Sequence, residues 1–329
     1  MTAPAGISPD VSPDVSPVLP PPADLRRAFL RDTALVARFE LAEAVRSRLL
    51  IVMVLLFVGA GALGAWGYTE LIGKIEAQAA SALGAPTAHK PGATVQRMRE
   101  ATSYRDLLRI FLHDDAKADY FARLPPIVVF YGWAAFLFTP WLILFTSAET
   151  VATEVASRAI RYSLLRTDRL PYAIGKTLGQ ALIVVGVTGL AAAVFFVVAW
   201  TQLAAFEPRA TALGMLSYWP RVALYNLPFL SWAMFASMVT ASANLARIVS
   251  LGGAVVLSLA NGVAASSRFR AGAVSSTVCD LVGYLTPFGH NEGLGYPPGG
   301  ALLGDVAVCL ALTVLYFAAG YAVLARRDV

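Results

Sequence analysis

Apolar positions in this chain run together instead of alternating with polar ones. A helix needs about 20 apolar residues to cross a hydrocarbon core of about 30 Å, because each residue rises only 1.5 Å. Six runs meet that requirement: Leu49 to Ile72, Pro126 to Thr146, Thr177 to Phe206, Val222 to Ala246, Ile248 to Ser267, and Val306 to Ala325. Only Arg247 separates the fourth from the fifth, which predicts a tight helical hairpin there. An even number of spans places both termini on one side. The pattern therefore predicts an all-α, polytopic membrane protein with six transmembrane helices.

The connecting segments have patterns of their own. Between 24 and 48, Leu25, Phe29, Val36 and Phe39 fall near one helical face, while Arg26, Arg27, Arg31, Asp32, Arg38 and Glu40 occupy much of the rest. This predicts an amphipathic helix lying in the headgroup region; the alternative is a soluble start to a long first helix. Residues 73–125 are too long for a simple turn, and Leu107, Leu108, Phe111 and Leu112 predict a small helical insertion over the outer mouth. In the Gly- and Pro-rich stretch 268–300, Val278 to Leu285 is apolar and stopped by Thr286-Pro287, too short to span, and so predicts a re-entrant half-helix. Residues 1–23 repeat Ser-Pro-Asp-Val and read as a disordered Pro-rich cytoplasmic tail, not as a signal peptide.

Composition sharpens the class. Of 329 residues, 57% are hydrophobic and 14% charged, against about 45–50% and about 25% in soluble domains. Mean hydropathy is +0.63. A cytosolic enzyme and a disordered chain are both excluded. The net charge of +5 has meaning only by location. Fourteen arginines and lysines fall near the termini, before the third span and at Arg247, against twelve opposite, eight of them in the long segment 73–125; the short opposite loops hold only Arg209, Arg221, Arg268 and Arg270. That asymmetry places both termini in the cytoplasm. Cys279 and Cys309 offer neither metal spacing nor a disulfide framework.

The apolar centres of the spans hold no Asp, Glu, Lys, Arg or His. An ion-driven carrier needs an ionisable group at membrane depth, so the energy source is expected outside the membrane domain. Small residues recur instead, as in Ser250, Ala254, Ser258 and Gly262, or Gly175 with Gly179, or Gly61 with Ala65. Such stripes let helices approach closely. Asn226, Asn244 and Asn261 are candidates to line a translocation path, and equally to glue helices together. His113-Asp114-Asp115 with Asp119 has the donor types of a metal site, but charged helices usually carry such groups as a solvated face; no metal site and no catalytic residue is assigned. No span holds a His-Glu-x-x-His pair, which argues against an intramembrane metalloprotease.

One segment is both charged and patterned. Glu149 and Glu154 precede Arg158, Ile160, Arg161, Leu164, Leu165, Arg166, Asp168 and Arg169, and Gly175-Lys176 heads the third span. Ile160, Leu164 and Leu165 share one side of a short helix flanked by arginines, a face suited to a groove in a cytoplasmic partner. The segment resembles the coupling region of type-2 ABC transporter permeases, in which an acidic residue, a small helix, a Leu-Leu pair, an Arg and a closing Gly-Lys follow in this order. The N-terminal amphipathic helix, the six spans, the half-helix and the terminal Ala325-Arg326-Arg327-Asp328 agree with it. Where that family often has Pro after the Leu-Leu turn, this chain has Thr167-Asp168.

The resemblance implies a permease domain over residues 49–329, with its coupling segment at 149–172, in a bacterial inner (plasma) membrane. It implies ATP and Mg on a separate ABC ATP-binding subunit and no cofactor on this chain, which lacks a Gly-x-x-x-x-Gly-Lys-Ser/Thr loop. It also implies a second permease chain, identical or not, and transport by alternating access, by default export. Nucleic acid is not an expected partner. A non-transporting membrane scaffold is the alternative reading.

Overall fold

The computed structural model describes residues 22–83, 90–93, 102–266 and 273–327, so most of the Pro-rich tail lies outside the described residues. The described elements are helical. The first is α1 (Pro22–Arg46), followed after a bend at Ser47 by α2 (Arg48–Leu83). Two short helices, α3 (Thr102–Leu112) and α4 (Asp115–Arg123), are described within the insertion. Next come α5 (Pro126–Ser147), the short α6 (Thr150–Ala156) and α7 (Ile160–Leu164), and then α8 (Arg169–Gln202). The rest is α9 (Pro208–Val239), α10 (Ala243–Ala265), α11 (Ala273–Leu285), α12 (Asn291–Gly295) and α13 (Leu302–Arg326). Among the described residues six helices are long and apolar enough to cross a membrane, namely α2, α5 with α6, α8, α9, α10 and α13, and the chain is a multi-pass membrane protein.

At the centre stands α9, which packs against α5, α8, α10 and α13. Its Tyr225 and Phe229 rings lie 5.1 Å apart by centroid, Tyr225 meets Phe136 of α5 at 5.1 Å, and Phe229 meets Phe288 at 4.8 Å. Edge-to-face rings of this kind fill the core and hold helices apart at a fixed distance. By contrast α2 and α10 sit at the periphery, and Ile51, Leu55, Leu63, Trp66, Ile248, Val256 and Leu259 on them are exposed.

Helix ends explain where the hydropathy reading and the structure differ. The expected hairpin at Arg247 is instead turned at Thr240–Ser242, where the Ser242 hydroxyl accepts the Leu245 N–H at 3.2 Å and starts α10. Arg247 consequently lies inside α10. Residues 238–246 carry no charge, so the apolar run continues unbroken through the turn. Likewise α9 begins at Pro208 rather than Val222, since Trp219, Pro220 and Arg221 depress local hydropathy without ending the helix. The first span runs past Ile72 to Leu83, and α8 begins at Arg169, well before Thr177. The half-helix is α11; its 13 residues reach about 20 Å, short of a crossing.

The N-terminal helix is not a straight extension of the first span. Ser47 Oγ accepts the Leu50 N–H at 3.3 Å, capping α2 at the bend, and α1 packs along α8. Thr33, Val36, Ala37 and Glu40 form its buried face. Of the expected apolar positions, Phe29 is half-buried and Phe39 exposed, and the side chain of Leu25 lies outside the described residues. In the insertion, Leu108 and Leu112 are half-buried, while Leu107 and Phe111 are likewise outside the described side chains.

Candidate functional site

The end of the bundle that holds both described termini carries a buried cluster of paired charges. It is built from α6 upward. Two N–H groups at the start of α6 have no carbonyl within their own helix, and Ser237 Oγ of α9 accepts both, from Val151 at 2.8 Å and Ala152 at 2.9 Å. Beside them Glu149 pairs with Arg247 of α10. The misplacement of Arg247 in the sequence reading hid this partnership.

One turn further, Glu154 accepts the Tyr172 hydroxyl at 2.7 Å and pairs with Lys176, both on α8. Lys176 also pairs with Glu40 of α1, and Glu43 lies 4.0 Å from its ammonium. Gln180 donates to Glu40 at 2.7 Å. Lys176 and Glu40 are almost wholly buried, with side chains 4% and 7% exposed. Buried charges persist only when paired and hydrogen-bonded, and here one ammonium joins three elements: α1, α6 and α8.

Close backbone approach makes the joint feasible. A Cβ at Gly175 would lie 2.6 Å from Val36 Cβ and 2.8 Å from the Thr33 carbonyl, and one at Gly179 would lie 2.7 Å from Glu40 Cβ. Only glycine fits at either position while α1 remains docked, so the Gly175–Gly179 pair seats α1. Glu40, Glu43 and Glu154 have the mutual spacing of a metal triad, within 4.8 Å of one another. The Lys176 ammonium occupies the middle of that triad, so the carboxylates serve a lysine. Together with Glu149 and Gln180 they line a cavity of about 270 Å³.

Beyond α6 the chain turns through Arg158, which adopts φ 60° in the left-handed region, and enters α7. Ile160 is fully buried and Leu164 half-buried; Leu165 and Tyr162 stand out at 82% and 76% exposure. Arg158, Arg161, Arg166 and Asp168 are exposed around them. Arg169 turns back and donates to the Leu324 carbonyl at 3.3 Å and to that of Ala325, capping α13. The candidate coupling residues thus divide. Glu149, Glu154, Ile160, Arg169 and Lys176 make contacts within the chain, while Arg158, Arg161, Leu165, Arg166 and Asp168 face outward.

The three asparagines are not brought together. Asn226 of α9 is buried and donates to Thr139 Oγ1 of α5 and to the Val222 carbonyl, each at 2.8 Å. Asn261 accepts the Thr286 hydroxyl at 3.2 Å, and Asn244 is exposed in the first turn of α10.

The opposite end carries two features that sequence spacing did not reveal. His290 is buried between Asp305 Oδ1, 2.6 Å from Nδ1, and the Tyr284 carbonyl, 3.2 Å from Nε2. Lys117 of α4 pairs with Glu292 of α12, tying the insertion to the half-helix region. Within the His113 cluster, Asp114 caps α4 by accepting from Ala116 and Lys117, Asp115 pairs with Arg109 at 2.9 Å, and Asp119 pairs with Arg105. The hydrogen bond from Arg105 holds the Asp119 carboxyl below the ordinary carboxylate range, and the bond to Glu292 raises the Lys117 ammonium.

These features define a multi-pass helical membrane protein whose patterned polar segment is braced against the bundle at the end holding the described termini. The family described as ABC-2 family transporter protein matches residues 34–329, and the chain belongs to it. No curated protein matches the chain. Members of this family are membrane transport components, generally not catalytic themselves.

Proposed function

We propose that the chain is the transmembrane permease subunit of an ATP-driven ABC transporter, working by alternating access with export as the direction. In this reading a separate ABC subunit binds ATP and Mg, and two permease chains form the pathway in a bacterial inner membrane with their termini in the cytoplasm. The observation that carries it is the split of the 149–172 segment into an exposed tip and an anchored root. At the tip, Tyr162 and Leu165 are exposed apolar side chains ringed by Arg158, Arg161 and Arg166. An apolar anchor within a charged rim suits docking on another protein. At the root, Glu154, Glu149 and Arg169 carry any displacement of the tip into α8, α10 and α13.

The test is co-expression with the ATP-binding subunit and measurement of association and ATPase stimulation. Leu165→Asp with Tyr162→Ala alters only exposed side chains, so helix content stays as in the parent. Loss of a central anchor costs at least ~2 kcal/mol, about a 30-fold weaker association. Full association and stimulation in this variant would remove the coupling role and leave a membrane scaffold as the better reading.

A further inference from the structure

A second cavity lies far from the coupling segment, within the span region. It measures about 710 Å³ and runs between α2 and α5, floored by α8. Its origin is a splay between helices. At Gly61 the backbone of α2 touches α8, where a Cβ would meet the Ala191 carbonyl at 2.6 Å. One turn outward Gly64 meets only the edge of the Phe195 ring, at 3.5 Å, and beyond it a Cβ on Gly67 would meet nothing within 4 Å. The small residues of α2 therefore open a trough here instead of receiving a neighbouring helix.

Apolar side chains dominate the trough, with Tyr131, Thr139 and Thr188 its hydroxyl-bearing residues. Thr139 and Thr188 are on its wall, but Thr139 Oγ1 is bonded to the Ala135 carbonyl at 2.5 Å and to Asn226, and Thr188 Oγ1 to the Val184 carbonyl at 2.8 Å and the Trp219 indole at 3.3 Å. With these hydroxyls engaged, the lining favours a hydrocarbon over water. Leu63, Trp133, Phe138 and Leu71 form exposed rims, so the trough opens to the surrounding bilayer. A helix from a second copy would have to come within 8–10 Å axis to axis, past the exposed Trp133 and Phe138 rings, whereas a flexible chain threads between them.

Charge marks the mouth. About 20 residues cross the hydrocarbon core, so a span beginning at Leu50 leaves it near Glu70. Lys74 is exposed one turn further, on the face of α2 that carries Gly67 and Leu71. Exposed Glu70 lies four residues before Lys74 on the same face, so the mouth presents both signs of charge and complements a zwitterionic headgroup, with its phosphodiester at the ammonium and its acyl chain in the slot below.

We propose that the α2–α5 trough is a binding site for a resident membrane phospholipid, with one acyl chain along Gly64 and Gly67 and its phosphate at Lys74. The test is native mass spectrometry of the full chain released from mild detergent, counting retained phospholipid. Gly67→Leu narrows the trough from a position where a Cβ meets nothing within 4 Å, and Lys74→Gln removes the headgroup contact at an exposed position. Retained phospholipid is expected to fall severalfold in each. Retention equal to the parent in Gly67→Leu overturns the proposal. So does disulfide formation between two copies carrying Gly67→Cys, which would make the trough a protein interface.

Discussion

Lys176 shows how one side chain fixes a joint. Its ammonium is surrounded by Glu40 and Glu154, with Gln180 and the Tyr172 hydroxyl completing the carboxylates' hydrogen bonds. Lys176→Met strands two carboxylates, and removing one partner from a buried pair costs about 3–5 kcal/mol. Unfolding in detergent should show that loss, and adding Glu40→Met with Glu154→Gln should recover part of it, because no uncompensated carboxylate charge then remains buried at the joint. Unchanged stability in Lys176→Met would mean that the joint is open to water. Tyr172→Phe removes a hydrogen bond to a charged acceptor and should cost about 1.5–3 kcal/mol by the same measurement. The sequence marked Lys176 and Glu154 but not Glu40, which reads as polar-face charge because periodicity reports a face and says nothing of a partner on a distant helix. Its position in register with Thr33, Val36 and Ala37 was the one local sign that it faces inward.

Among elements, α1 depends on the two glycines it crosses. Gly175→Leu drives a side chain into Val36 and the Thr33 carbonyl, so α1 should lift from α8 while α8 stays helical. Amide hydrogen exchange would rise along 33–40 and remain low in α9; protection unchanged in α1 would contradict this packing. The insertion gives a contrasting case governed by exposed charge. The Asp119 carboxyl is held low, so its contribution is complete above the ordinary carboxylate pKa of ~3.9 and fades only as pH falls through the still lower folded value. Lys117 is held high, so its contribution is complete below ~10.4 and fades as pH rises through the folded value. Exchange protection of α3 and α4 should therefore stay constant between about pH 5 and 9, and Lys117→Met should lower it throughout that range. The existence of these elements was legible because long apolar runs and a Pro-stopped half-helix have no soluble counterpart. Their ends were less so: Ser242 ends a run that hydropathy alone extends to Ala246, and only its capping hydroxyl gives the turn away.

Across the whole molecule, polar contacts at the end holding the termini link almost every span. Lys176 joins α1, α6 and α8; Ser237 joins α6 and α9; Glu149 joins α10; Arg169 joins α8 to α13; and Arg327 donates to the Met238 and Thr240 carbonyls, at 3.3 and 2.9 Å, below α9. Such an end is built to move as a unit, because displacing any one member breaks bonds to several others. A push on the exposed tip should then rotate α1, α6 and α8 together rather than bend the tip alone. Spin labels at Arg158 on the tip and Arg38 on α1, both exposed, measure this directly in the complex with the ATP-binding subunit. Their separation should stay fixed when ATP is added. In Glu154→Gln, which loosens the tip from Lys176 while leaving the Lys176–Glu40 pair, the same labels should spread apart or broaden in distance on ATP binding. A parent chain whose label separation already changes with ATP would show that the tip hinges freely and that work enters the spans by another route.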